Sequence, residues 1–270
     1  MPNFAILLSP AEGKQPGGNP FAPDMFDYRS SNTFNYFNEL NSERRALIDA
    51  LQAHIAKAEE DELEDLLGVK GFNLEEAVRV NEEIYTAPLM SALDRYSPGT
   101  MYQAMDFAGL PTGAQRRLLE NGIIFSGLFG VLRPDDLIPN YKLKMNAKLP
   151  EVGRISSYWK PLISPLLNKV LSGRFVWNLL AQVHQSAWND EQTYERMVEV
   201  KFYDEKDGER KAVTHNVKTL RGQLVNFIVQ ESVESLEPLH EWTHPEGYAF
   251  DEQSSSFDDE TQTGTVVMVR

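Results

Sequence analysis

The chain has 270 residues, enough for one large domain or two small ones with a substantial core. It contains no cysteine, which excludes disulfides, thiolate nucleophiles and cysteine-type zinc sites. A net charge of −14 sets an average field that repels polyanions.

The apolar run Phe4 to Leu8, closed by Ser9-Pro10, reads as a buried strand. It is too short and lacks the basic leader of a secretory signal, and no later apolar run approaches the ~20 residues of a spanning helix. The expectation is a cytoplasmic protein with no membrane partner. Glycines and prolines up to Pro23 read as a loop. A helix starts near Ser42, with Leu47, Ile48, Leu51 and Ile55 at helical spacing. The acidic run from Glu59 to Asp65 leads into a helix end, a Gly68-Val69-Lys70-Gly71 turn and a second helix reaching Ile84. Ser91 to Tyr96 is helical and is broken by Ser97-Pro98-Gly99. Ile123 to Phe125 is strand-like, and Ser126 to Arg133 is a glycine-punctuated turn. Tyr158 to Leu171 is a helix interrupted by prolines. Arg174 to Leu180, Val198 to Tyr203 and Ala212 to Val217 are strand-like, with a hairpin signal at Asp207-Gly208. Gly222 to Glu231 is a helix, and Gly247 to Phe250 and Thr265 to Val269 are closing strands. The fold class expected is a mixed α/β (α+β) single compact domain over 1–270. It has a central mixed sheet and a helical elaboration at 42–96 containing a helix-hairpin-helix-like turn.

Charge is unevenly spread. Between Pro111 and Arg174 ten Lys or Arg face only four acids, so a local basic surface on an acidic protein is one reading. Cations scattered over a solvated surface are the other. Ser9-Pro10-Ala11-Glu12-Gly13-Lys14 follows the first strand, where open α/β sheets place ligands. It lacks the full phosphate-loop pattern. Glu12 and Lys14 suit an acid–base pair or a solvated charged turn. In the segment from Ser126 to Met145, Arg133 could grip a phosphate or carboxylate, and Tyr141 and Lys142 could line a groove. A structural turn, with Arg133 tied to a buried carboxylate, is the alternative. Lys218 and Arg221 flank a helix start, which favours anions. Tyr248 and Asp251 lie in a mixed acidic and aromatic turn. Gly68, Lys70 and Gly71 could aim backbone N–H groups at a DNA phosphate or form an ordinary turn. His240 and His244 spell H-E-W-T-H, but Pro245 pushes residue 244 out of helical geometry. No metal and no cofactor are expected.

Taken together, these segments resemble the YaaA family of bacterial peroxide-stress proteins. Residues 126–145 match its S-G-L-Y/F-G-V-L-R-P-x-D-x-I-x-x-Y-R/K-L-x-M segment almost letter for letter. The loop from Ser9 to Lys14, Tyr158-Trp159, Lys218 to Gly222 and Glu246 to Asp251 match further family segments in order. The Glu12-Gly13-Lys14 loop is similar to that of the family's Glu-Gly-Lys subgroup. The resemblance implies a cytosolic protein that limits hydrogen peroxide damage by lowering free iron. It also implies a mixed α/β fold with a helix-hairpin-helix-like element, a positively charged cleft and DNA binding.

Two partners follow. One is DNA, held against Lys14, Arg133, Lys142, Lys218 and Arg221. The other is a nucleotide or nucleobase-like ligand, turned over by acid–base chemistry with Glu12, Lys14 and Asp251 as catalytic candidates. Ser9, Ser126, Tyr141 and Tyr248 are further ligand-binding candidates. Whether the protein is an enzyme stays open between these readings.

Overall fold

The computed structural model describes residues 3–19 and 36–270. The expected loop up to Pro23 lies partly outside the described residues.

The core grows from strands that are apolar on both faces. β1 (Phe4–Leu8) and β8 (Phe175–Leu179) are buried along their whole length, as central strands of a parallel sheet are. Between them in sequence come three helices, α1 (Asn41–Ile55), α2 (Glu60–Leu67) and α3 (Phe72–Glu82). Next are β2 (Met90–Ser91), α4 (Ala92–Arg95), α5 (Thr100–Met105) and α6 (Thr112–Asn121). β3 (Gly122–Ser126), β4 (Gly130–Leu132), β5 (Leu137–Ile138), β6 (Lys148–Leu149), β7 (Gly153–Arg154) and α7 (Ile155–Leu171) complete the first half. After β8 come α8 (Gln182–Gln185), β9 (Arg196–Lys206), β10 (Glu209–Ala212), α9 (Val217–Glu231) and α10 (Glu237–Glu241). β11 (Ala249–Phe250), β12 (Ser256–Asp258) and β13 (Thr263–Val269) close the chain.

The main sheet is nine-stranded and mixed, with the path β11-β13-β9-β8-β1-β3-β4. Its middle, β13-β9-β8-β1-β3, is parallel throughout. β4, β10, β11 and β12 add antiparallel edges. From β1 the chain builds β3 on one side, then returns to build β8 on the other. The strand order therefore reverses at β1, and a crevice opens at the carboxyl ends of β1, β3 and β8.

Several elements differ from the sequence expectations. The segment from Ser126 to Arg133 is a hairpin, because Gly130–Leu132 pairs back onto β3. Gly130 takes φ +74°, and a Cβ there would sit 2.8 Å from the Trp159 ring, so only glycine lets the strand pass. α7 is continuous despite Pro161 and Pro165. Its stripe Ile155, Trp159, Ile163, Leu167 and Leu171 is fully buried. At roughly 1.5–3 kcal/mol per side chain, that burial exceeds the ~3 kcal/mol each proline costs. The expected strand from Ala212 to Val217 ends at Ala212. The following helix begins at Val217, five residues before Gly222, because Leu220 already belongs to the buried stripe with Leu224 and Ile228. α1 begins at Asn41 behind a 3-10 turn, so Ser42 lies inside the helix and does not cap it. Helices α5 and α6 carry no strong sequence signal. Asp207 (φ 55°) and Gly208 (φ 79°) do form the two-residue β9–β10 turn.

Candidate functional site

The Ser9–Lys14 loop leaves β1 at the reversal point and is clamped at both ends. The Ser9 hydroxyl oxygen accepts the Ala181 N–H (2.9 Å), tying the loop to the end of β8. Tyr102 donates its hydroxyl to the Ser9 carbonyl (2.9 Å). Beyond the loop, Gln15 donates its N–H to the Arg95 carbonyl (2.8 Å), and the buried Arg95 guanidinium reaches the carbonyls of Gln15, Pro88 and Ile138. Gly99 lies so near the loop that a Cβ there would stand 2.4 Å from that of Ala11.

These clamps aim Lys14 at an aromatic floor. Its ammonium stands 4.2 Å from the Tyr141 ring centroid and 5.7 Å from that of Tyr96. Beneath it runs a closed chain of hydroxyls: Tyr96 to Tyr141 (2.6 Å) and Tyr141 to Ser126 (2.7 Å). The Ser126 oxygen also accepts the Phe129 N–H (3.1 Å). Burial pushes the Tyr141 hydroxyl up to about 12, so the floor stays neutral. Desolvation, helped by the charges of Lys142 and Arg95 and opposed by Glu12, lowers the Lys14 ammonium from 10.5 to about 7. Among the described residues Lys14 has no hydrogen bond or ion pair beyond these ring contacts.

Cavities lie on either side of the loop. One, of about 100 Å³, lies between Glu12, Lys14, the 141–146 segment and α8, with Lys142, Lys144 and His184 in its wall. Lys144 approaches Glu12 at 3.5 Å. Among the described residues the buried Nδ1 of His184 has no hydrogen-bond partner, and burial lowers this imidazole to about 4. A second cavity, of about 310 Å³, runs from Ser9 to Gly13 past Thr100 and Tyr102 to Lys218 and Arg221 on α9. A third, a groove of about 590 Å³, spreads from Lys14 and Lys142 to Asn73 and Glu76 on α3. Glu12 lines all three.

The structure thus brings Ser9, Glu12, Lys14, Tyr141, Lys142, Lys218 and Arg221 to one end of the sheet, with Lys14, Tyr141 and Lys142 on one side of the loop, Lys218 and Arg221 on the other, and Ser126 beneath. Other expected site residues lie elsewhere. Arg133 follows β4, which pairs antiparallel with Ile124 to Ser126 and so carries the chain back toward the amino-terminal end of β3, away from the crevice. Its guanidinium donates to the Leu119 carbonyl (2.7 Å and 3.0 Å) and stacks on Tyr36. The buried carboxylate near it, Asp136, accepts the Arg133 backbone N–H (2.7 Å) and not the side chain. Tyr248 and Asp251 belong to the far edge, where β11 pairs with β13. Tyr248 donates to Asp204 (2.8 Å), and Asp251 is paired with Arg210 (2.8 Å).

In the α2–α3 turn, Gly68 (φ 64°) and Gly71 (φ 55°) join the two helices. Exposed Lys70 is paired with Glu64 at 2.6 Å. A Cβ on Gly68 would lie 3.2 Å from the Lys144 amine, so this glycine makes room for a cation of the crevice. His240 packs on Phe250, while His244 accepts the Glu246 N–H at Nδ1 and faces the Leu220 carbonyl with Nε2. Among the described residues no three His, Asp or Glu side chains gather as metal ligands.

Sequence reasoning missed His184, Tyr96, Tyr102 and Thr100. The signal for His184 was its place just past the carboxyl end of a predicted strand. The other three flank a Pro98-Gly99 break that reads only as punctuation until Gly99 is seen against Ala11.

A nine-stranded mixed sheet with helices packed on it, and with cation-lined cavities at the point where strand order reverses, defines a mixed α/β protein. The chain belongs to the YaaA peroxide-stress protein family, whose model matches residues 4–254. It is 28% identical over 225 residues to a UPF0246 protein of Streptomyces coelicolor, covering 83% of this chain and 82% of that one. A UPF0246 protein of Idiomarina loihiensis is 32% identical over 196 residues, covering 71% and 74% of the two chains. An uncharacterised protein of Campylobacter jejuni is 28% identical over 237 residues, covering 87% and 88%. Among the described residues no helix is long and apolar enough to cross a membrane.

Proposed function

We propose that the crevice is an active site for a small anionic, nucleotide-like ligand, and that Lys14 performs the acid–base chemistry on it. One observation carries this reading: a lysine amine with no hydrogen bond or ion pair among the described residues, lowered by burial to about 7, faces cavities at the carboxyl ends of the parallel strands. A group that changes charge near pH 7 can both take and return a proton at working pH. Lys142, Lys144, Lys218 and Arg221 supply counter-charge for phosphate, and Thr100 and Tyr102 supply polar wall. Cavities of about 310 and 590 Å³ suit one small molecule. Peroxide protection would then follow from what this chemistry makes or removes.

Titration calorimetry against nucleotides, nucleosides and nucleobases tests the binding. The expected result is affinity for phosphorylated ligands that falls about tenfold in Lys218→Ala. Glu12→Gln should abolish turnover and leave the fold intact. Full turnover in that variant would remove Glu12 from the mechanism.

DNA remains a second reading, favoured by cations on both sides of the Ser9–Lys14 loop, with Lys14, Lys142 and Lys144 in one cavity and Lys218 and Arg221 in the other. Glu12 and Glu76 in the walls, the Lys70–Glu64 pair and the net charge of −14 weigh against it. A gel shift of duplex or bubble DNA at low salt, lost steeply as salt rises, would restore it.

A further inference from the structure

We infer that Lys14 is an imine-forming lysine. In the cavity it shares with Lys142 and Lys144, its amine condenses with the carbonyl of a small phosphorylated aldehyde, such as a sugar phosphate in its open-chain form. The inference rests on the small-anion reading of the crevice and adds to it a covalent step and a reacting group.

Four features of the site carry it. Lys14 is held by its loop and by the faces of two tyrosines, and among the described residues no carboxylate is bonded to its amine. The amine borders both the cavity of about 100 Å³ and the groove of about 590 Å³, so a carbonyl has an open approach and its product an exit. Pro10, Gly127, Met145 and Val183 make the rest of the smaller wall largely apolar, which disfavours an ammonium and leaves the nitrogen lone pair available. Lys142, whose amine also has no hydrogen bond or ion pair among the described residues, stands close enough to depress Lys14 and to anchor the phosphate. A neighbouring cation is a recognised way to activate an amine nucleophile.

The step balances without any redox partner. The Lys14 nitrogen attacks the carbonyl carbon to give a carbinolamine. The carbon–oxygen bond then breaks, and the oxygen leaves as water with the two hydrogens that the amine gave up. Glu12, in the same wall, is the carboxylate placed to carry them.

The full chain is incubated with pyridoxal 5′-phosphate or ribose 5-phosphate, reduced with borohydride and mapped by peptide mass. The expected result is a reduced adduct on Lys14, formed roughly tenfold or more faster than on surface lysines. Its pH profile in the wild-type chain should be half-maximal near 7, a readout that needs no variant. Lys14→Arg should abolish it. The pair Lys142→Ala and Lys144→Ala should slow the phosphorylated probe about tenfold more than it slows unphosphorylated pyridoxal, because both probes lose the activating charge on Lys14 and only one loses its phosphate anchor. Adducts spread evenly over lysines, or unchanged in Lys14→Arg, would overturn the inference. Inorganic phosphate that raises the melting temperature, with no adduct at Lys14, would also overturn it and leave the anion site standing. Absence of both effects would remove the site itself.

Discussion

Lys14 holds its ammonium over the Tyr141 ring, and burial there, helped by the charges of Lys142 and Arg95, lowers it to about 7, which makes folding pH-dependent in a definite direction. Below that pH the amine is protonated in both the folded and unfolded chains, so folding bears the whole cost of burying the charge. Between about 7 and 10.5 the unfolded chain binds the proton and the folded chain does not, so stability rises with pH across that window. Urea midpoints of the wild type relative to Lys14→Met should therefore climb through the window and stay level below it. A level difference at all pH values would show that the amine titrates normally. Tyr141 serves the same residue from below. Tyr141→Phe keeps the ring under Lys14 but removes the shared partner of Ser126 and Tyr96. It should cost about 1–3 kcal/mol in urea unfolding, while the pH profile of Lys14 stays in place. Gly130→Ala should destabilise by at least about 2 kcal/mol, since left-handed backbone and the Trp159 ring both oppose a methyl group.

Helices place the cations. α9 packs against α5 through Gly222, where a Cβ would lie 2.2 Å from the Met101 carbonyl and 2.8 Å from Ala104. That approach sets Lys218 and Arg221 across the cavity from Thr100 and Tyr102. Gly222→Ala must push the two helices apart. The expected outcome is a lower melting temperature together with weaker binding of phosphorylated ligands, beyond what Lys218→Ala alone produces. Unchanged ligand affinity in a destabilised Gly222→Ala would mean that the helix spacing does not matter to the site. The run Lys218 to Gly222 thus joins two cations to the one residue type that lets their helix approach its neighbour.

For the molecule as a whole, a charge of −14 surrounds a crevice whose two cavities are lined by three cations and by two. Phosphate groups small enough to enter meet the local field, whereas a long duplex also meets the acidic exterior. At about 0.15 M salt the Debye length is about 8 Å, so the crevice acts over its own width and little further. Duplex DNA should therefore not shift in a gel at that ionic strength, while a mononucleotide still binds. Duplex binding that survives it would reverse this ranking of partners.

Much was legible in the sequence alone. The strands of the parallel core are short, wholly apolar runs, and the composition ruled out thiol chemistry. The segment Ser126 to Met145 and its companions were enough to indicate the family. The loop Glu12 to Lys14, just after the first strand, marked the site because open parallel sheets bind ligands at carboxyl ends. Tertiary structure decided the rest. Gly130 and Gly222 show their purpose only against Trp159 and Met101, residues far along the chain. Arg133, Tyr248 and Asp251 carry suitable side chains in family motifs, yet strand order places them at another end or edge of the sheet. His184 has no motif and gains its place from the end of β8. Local pattern determines which elements form, because periodicity and turn chemistry act over a few residues. The reversal of strand order at β1 determines which loops meet, because it depends on how distant strands pair.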